Sequence, residues 1–323
     1  MNNIKKLTND TSQVFNAVQD SLAIIDTEFN VININTTYLK LLKKDAKEVI
    51  GKKCYAVLRG SRCSTEKCPL KKIIRIPKVI EIETEKCFPD GSRVPLILTA
   101  TPLISDRGKL TGMIQSFKDI TDFKLSSKKL EIVLDEVIKA LSVTVEVRDP
   151  YTYGHQERVA QISEKIAQKM GFPENQVKAL WMAATIHDVG KIYVPSEFLA
   201  KPTQLTEIEF AVIKTHSTVG YSIIKNIDFD LPIAEIVYQH HEKMDGSGYP
   251  LGVSGEKILI EARILTIADV VEAMSSHRPY RPALGLDKAI EEIKKNRETF
   301  YDPDVVDICL QVIKEKGVKF FAA

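Results

Sequence analysis

Histidine is absent from the first 154 residues of this chain, and cysteine is nearly absent beyond residue 87. All six histidines lie at or after position 155, whereas four of the five cysteines lie at or before position 87. Net charge is lacking too. Lys and Arg total 45 against 43 Asp and Glu, so the balance gives no reason to expect nucleic acid or a membrane surface as partner. No stretch approaches the ~18 uninterrupted apolar residues of a membrane span. The opening MNNIKKLTNDTSQ lacks the apolar core of a signal peptide. These absences predict a cytoplasmic protein. What is present is an ordinary soluble composition, 44% apolar and 27% charged. The 323 residues suffice for about two domains, and the segregation of His from Cys favours two domains with separate chemistries.

Residues 10–123 alternate short apolar runs with turn signals. SLAIID and FNVINI predict two strands around Thr27-Glu28, and TTYLKLLKKDAKEVIG predicts a helix through Leu39, Leu42 and Val49 that stops at Gly51. VIEIETEKCF, RVPLILTATPLI and LTGMIQSFKDIT predict three more strands, turned by Pro89-Asp90-Gly91 and Asp106-Arg107-Gly108. The expectation is a five-stranded α+β module. In residues 124–147, Leu130, Leu134, Val137, Leu141 and Val145 recur three or four apart. That spacing predicts one apolar face of a continuous helix, either packed on the following domain or paired with a second copy. From 148 to 323 helical periodicity dominates, and an all-α domain is expected.

Within that helical part, His187-Asp188 and His240-His241 are adjacent pairs, and His155, His216 and Asp269 stand near the ends of other predicted helices. Imidazole nitrogen and carboxylate oxygen suit divalent iron, manganese or zinc. Facing helices can bring such side chains together across long sequence separations. By spacing alone, metal binding and ordinary structural roles remain alternatives.

The motif text goes further. RDPYTYGHQERV (148–159), IHDVGKI (186–192), HHEKMDGSGYP (240–250) and ADVVEAMSSHRPYR (268–281) resemble, in order, the HD-GYP subgroup of the HD hydrolase superfamily. VFNAVQDSLAIIDTEFNVININTTYLKLL and the DITD at 119–122 make the first domain resemble a PAS domain, a sensory or dimerising module. The HD-GYP resemblance implies hydrolysis of cyclic di-GMP to pGpG or GMP by metal-activated water. It implies a ligand set of His155, His187, Asp188, His216, His240, His241 and Asp269, with Asp188 bridging. Family members with a third metal carry a glutamate four residues before the first histidine. Tyr151 stands there in this chain, so two ions, iron or manganese, are expected. Two closely spaced metals suit a phosphodiester, because they lower the pKa of water and neutralise developing charge. The alternative is a catalytically weak cyclic-dinucleotide receptor acting through partner proteins.

Lys191, four residues after His187 and so expected on the same helical face, is expected to protonate the leaving oxygen or hold phosphate charge. Arg278 and Arg281, flanking Pro279-Tyr280, have guanidinium forks that suit phosphate oxygens and a guanine edge, and the resemblance puts them, with Tyr280, at the substrate. Gly246, Gly248, Tyr249 and Pro250 are read as a loop shaping the substrate mouth or a partner-protein surface, and His277 as a loop residue. The PAS resemblance and the apolar connector together imply a homodimer. Cys54, Cys63, Cys68 and Cys87 leave three readings open: a zinc site or iron–sulfur cluster, a reversible disulfide such as Cys63 with Cys68, or ordinary thiols. Histidine-ligated haem is disfavoured in a half without histidine, whereas cysteine-ligated or covalently attached haem stays open.

Overall fold

The protein is described here by a computed structural model covering residues 11–57, 60, 62–63, 65–87, 92–148, 154–276 and 283–317. The chain divides into two compact units, Met1–Leu130 and Glu131–Ala323.

The first unit opens with α1 (Thr11–Ala17), β1 (Ser21–Asp26) and β2 (Val31–Ile34). Short helices follow: α2 (Thr36–Leu42), α3 (Ala46–Val49), α4 (Cys54–Val57) and α5 (Pro69–Arg75). Strands β3 (Ile80–Cys87), β4 (Arg93–Ile104) and β5 (Leu110–Asp119) complete it. All neighbouring strands are antiparallel, in the order β2-β1-β5-β4-β3, so the expected five-stranded α+β module is present. Alternate strand residues Ala23, Ile25, Leu96, Leu98 and Ala100 face a core shared with Tyr38, Leu70 and Ile73.

Two local expectations change. The first hairpin turns over Thr27–Asn30 rather than Thr27-Glu28, because Asp26 Oδ1 accepts from Glu28 N (2.9 Å) and Asn30 N (2.7 Å) and delays the second strand. The single helix expected through Val49 is two. Lys43 adopts φ 54°, and Asp45 begins a new helix through a reciprocal capping box with Glu48. The Asp106–Gly108 turn forms as expected, with Gly108 N bonded to Ser105 O at 2.8 Å. Pro89-Asp90-Gly91 lies outside the described residues.

One helix, α6 (Thr121–Glu146), contains the sequence boundary between the units. The second unit then comprises α7 (His155–Lys169), α8 (Glu174–Ile186), a 3-10 turn (Val189–Tyr193), α9 (Ser196–Leu199), α10 (Glu207–Ile224) and α11 (Ile233–Gln239). It ends with α12 (Ile260–Ser275), α13 (Leu286–Lys295) and α14 (Pro303–Lys316). No β-strand follows Asp119 among the described residues, so the unit is all-helical as its periodicity predicts. Val159, Ile162 and Ile166 of α7 recur at helical spacing and pack with Leu180, Ala183 and Ala184 of α8 and Ile264, Leu265 and Val271 of α12.

Helix α8 ends at Ile186, before Lys191. Lys191 therefore does not continue an α-helical face from His187; it sits in the 3-10 turn, which lies directly on α10. Gly190 permits that approach. A Cβ there would stand 1.9 Å from His216 O and 2.6 Å from Gly220 N, both backbone. Gly190→Ala is expected to destabilise the unit by about 3 kcal/mol, lowering its thermal transition by roughly 6–12 °C for a unit of this size. An unchanged melting curve would contradict this packing.

Candidate metal centre

The seven side chains expected as ligands come from five places in the second unit. His155 is the first residue of α7, His187 and Asp188 follow α8, and His216 lies within α10. His240 and His241 follow α11, and Asp269 is on α12. The fold brings them together as three donor groups whose atoms lie within 4.8 Å of one another: His155, His187 and Asp269; His187, Asp188 and His240; and His216, His240 and His241. His187 and His240 each belong to two groups, so the three form one continuous cluster. His155, His187, Asp188, His216 and His240 are at most 3% exposed.

A repeated local device aims three of the rings. His187 Nδ1 donates to Ala184 O at 2.7 Å, His216 Nδ1 to Ile213 O at 2.7 Å, and His240 Nδ1 to Val237 O at 2.6 Å. Each acceptor is the carbonyl three residues earlier. A carbonyl can only accept, so Nδ1 carries the proton and Nε2 presents a lone pair to the cluster. His216 Nε2 and His240 Nε2 then face each other at 3.3 Å as two acceptors. A cation between or beside them would relieve that opposition.

Charge states agree with such a role. Burial pushes His216 down and His240 well down, and holds His241 at about 3, so these rings are neutral. Burial opposes ionisation of Asp188, but the Lys191 ammonium beside it holds it well below the usual carboxylate range. Asp269 is likewise held low against burial, first by its contact with His155. Neutral imidazoles with ionised carboxylates are the states that ligate metal. The donor set fits divalent cations.

Asp188 is placed between the ends of the cluster. Its Oδ2 lies 3.5 Å from His187 Nε2 and its Oδ1 3.6 Å from His216 Nε2, while Lys191 Nζ is 2.7 Å from Oδ2. His155 lies between two carboxylates: Nε2 is 3.2 Å from Asp269 Oδ1, and Nδ1 contacts Glu272 Oε2. Glu272 was not expected from the sequence. It is 1% exposed, and its other oxygen accepts from Arg158 Nε at 2.7 Å and Ser276 Oγ at 2.6 Å. Although burial opposes it, His155 first, then Ser276 and Arg158, hold Glu272 down at about 2. The available signal was its position three residues after Asp269, on the same helical side.

The loop after His241 folds back over the cluster. Gly248 makes this close approach, since a Cβ there would lie 2.5 Å from His241 O, Glu242 Cα and Lys243 N. Glu242 Oε1 accepts from Leu251 N (2.6 Å) and Gly252 N (3.2 Å), tying down the loop end. Tyr249 consequently lies 4.8 Å from the His241 ring, and Lys214 Nζ is 5.2 Å from the Tyr249 ring centre. Burial pushes the Tyr249 phenol up, keeping it a neutral hydroxyl.

Tyr151, His277, Arg278, Tyr280 and Arg281 lie outside the described residues, as does the Cys87 side chain. In the first unit, Cys54, Cys63 and Cys68 carry free thiols, and no convergent group of three metal donors occurs there among the described residues. Burial pushes Cys54 up to about 12. Cys63 Sγ accepts from Gly60 N at 3.3 Å.

Comparison with known proteins places these features in families. The PAS fold matches residues 15–125 and the HD domain residues 139–305. A cyclic di-GMP phosphodiesterase of Thermotoga maritima is 41% identical over 57% of this chain and 51% of its own length. A cyclic di-GMP phosphodiesterase response regulator of Xanthomonas campestris is 39% identical over 54% and 47%, respectively. A 3'3'-cGAMP-specific phosphodiesterase of Vibrio cholerae is 36% identical over 56% and 39%. The chain thus spans about half the length, or less, of these curated relatives. With the HD domain matched over more than half of its 323 residues, behind a PAS fold, this protein belongs to the HD domain family.

Proposed function

We propose that the second unit is a metal-dependent phosphodiesterase acting on a cyclic dinucleotide, cyclic di-GMP first, and that the PAS unit regulates it. The observation carrying this reading is the cluster in which Asp188 addresses His187 with one oxygen and His216 with the other. His155, His187, Asp188 and Asp269 would hold one divalent ion; Asp188, His216, His240 and His241 would hold the second. Iron or manganese suits this nitrogen and oxygen set. When bound, such ions activate water and offset charge on a phosphodiester.

The chain's own residues do the rest. The three carbonyl-anchored rings keep their Nε2 atoms aimed without reorganisation, and Glu272 fixes His155 from behind. Lys191 places an ammonium at the edge of the cluster, where it can offset phosphate charge or give a proton to the leaving oxygen. Tyr249 packs against His241 with an un-ionised hydroxyl. Arg278, Tyr280 and Arg281 remain proposed substrate contacts, with linear pGpG or GMP as product. The names of the relatives supply the substrate class, and the complete donor set favours an enzyme over a receptor. Metal-loaded protein is expected to hydrolyse cyclic di-GMP under reducing conditions, with 3'3'-cGAMP as the comparison substrate. Lys191→Met is expected to lower kcat by about 10²-fold with metal content unchanged. No product from either dinucleotide would overturn the enzymatic reading, and full turnover by Lys191→Met would overturn the role of that lysine.

The functional unit is proposed to be a homodimer paired along α6. Leu130, Leu134, Val137 and Leu141 are 44–71% exposed and follow a four-three-four spacing, the period of a coiled-coil seam. Ile138 and Val145, which pack into the second unit's core, lie on a side offset by roughly 60°. The exposed stripe is therefore spare to its own domain, and a second copy of the same stripe matches it in chemistry and spacing. Sedimentation is expected to give a dimer for the native chain and a monomer for Leu134→Glu/Leu141→Glu. A native monomer at micromolar concentration would contradict the pairing.

A further inference from the structure

Two side chains at the end of α6 make contacts that the metal chemistry does not use. Glu146 is buried, 6% exposed, and its Oε1 accepts a hydrogen bond from Gly154 N at 3.1 Å. Gly154 caps α7, whose first residue is His155. The amide at a helix start has no partner within its own helix, so an acceptor from elsewhere fixes where the helix begins. Two residues further on, Arg148 NH2 donates to Val194 O at 3.3 Å, and its NH1 donates to Ile192 O. These carbonyls frame the end of the 3-10 turn that carries Lys191. Within that turn Lys191 N bonds to Asp188 O at 2.8 Å, and Val194 N bonds to Lys191 O at 3.0 Å. One guanidinium thus holds two carbonyls on either side of Tyr193, immediately after Lys191.

We propose that Glu146 and Arg148 are positioning residues, Glu146 for His155 and Arg148 for Lys191, coupling the end of α6 to one end of the metal cluster and to the lysine beside Asp188. The proposal rests on reading the cluster as a metal centre with Lys191 assisting. The two contacts differ in what they set. Glu146 acts through a metal ligand, so its loss is felt in metal affinity. Arg148 acts through the lysine turn, so its loss is felt in turnover. Arg148 needs both arms of its fork, because a lysine ammonium lacks the planar geometry that reaches two fixed carbonyls at once. The helix that ends at Glu146, two residues before Arg148, begins at Thr121, just after the last strand of the first unit. A displacement of its end would therefore reach His155 and Lys191 together, without any residue of the helix touching substrate.

The test uses the full-length chain carrying Glu146→Ala, Glu146→Gln, Arg148→Ala or Arg148→Lys. Three quantities are read for each: the melting transition, metal affinity by chelator competition with manganese, and kcat and KM with cyclic di-GMP and with bis(p-nitrophenyl) phosphate. Glu146→Ala is expected to weaken metal binding about tenfold. Glu146→Gln should restore it, because the amide oxygen still accepts from Gly154 N. Arg148→Ala is expected to lower kcat about tenfold or more, with KM and metal affinity within twofold of the native chain. Arg148→Lys should recover only part of that loss. Native metal affinity in Glu146→Ala, or native kcat in Arg148→Ala, would overturn the corresponding arm. Losses that track the melting transition in all four variants would overturn both. If the native chain cleaves neither substrate, the phosphodiesterase reading fails and Arg148's role fails with it. The chelator competition still decides Glu146 on its own.

Discussion

Two imidazole nitrogens facing each other at 3.3 Å, each with its proton committed to the far side of the ring, are the constraint around which the second unit is organised. Neither ring can turn to relieve the repulsion without abandoning a buried carbonyl. Neither readily accepts a proton, because burial holds both low. An ionised Asp188 in the same dry interior adds to the cost, which Lys191 offsets only in part. A protein bearing this arrangement pays for it with packing elsewhere: the rings are held by α8, α10 and α11, whose apolar faces make up much of the core. Bound cations would relieve that opposition, so ligand burial and core packing are two aspects of one design.

Much of this was legible in the sequence, for reasons that differ by residue. Helical periodicity specified the all-α unit because its helices bury one side, and adjacent His-Asp and His-His pairs survive any error in helix boundaries. All seven expected donors lie in one cluster. Glu272 was not legible: an acidic residue in a helix looks solvent-facing until its neighbours are known, and its importance comes from His155, 117 residues away. The placement of Lys191 was misread, because the helix ends at Ile186 and the contact with Asp188 arises from a tight turn instead. In the first unit the strands were clear from alternation. The split of one expected helix into two turned on the positive φ of Lys43, and lysine carries no signal for that conformation.

Helix α6 serves two purposes that its apolar pattern alone could not separate. Ile138 and Val145 anchor it to the second unit, while Leu130, Leu134, Val137 and Leu141 remain exposed. The helix ends beside Gly154 and the Lys191 turn, so pairing along its length and order at the cluster share one mechanical element. Under the proposed function this economy matters, since regulation would then require displacement of a single helix end rather than rearrangement of the core.

As proposed, the His/Asp cluster would hold two divalent ions, with Asp188 shared between the two ligand sets. Elemental analysis of anaerobically purified protein tests it most directly, on the native chain beside His155→Ala and His241→Ala. The account predicts two metal ions per chain in the native protein and about one in each variant, lost from opposite ends of the cluster. A native chain binding one ion or none, or variants that keep the full native complement, would contradict it.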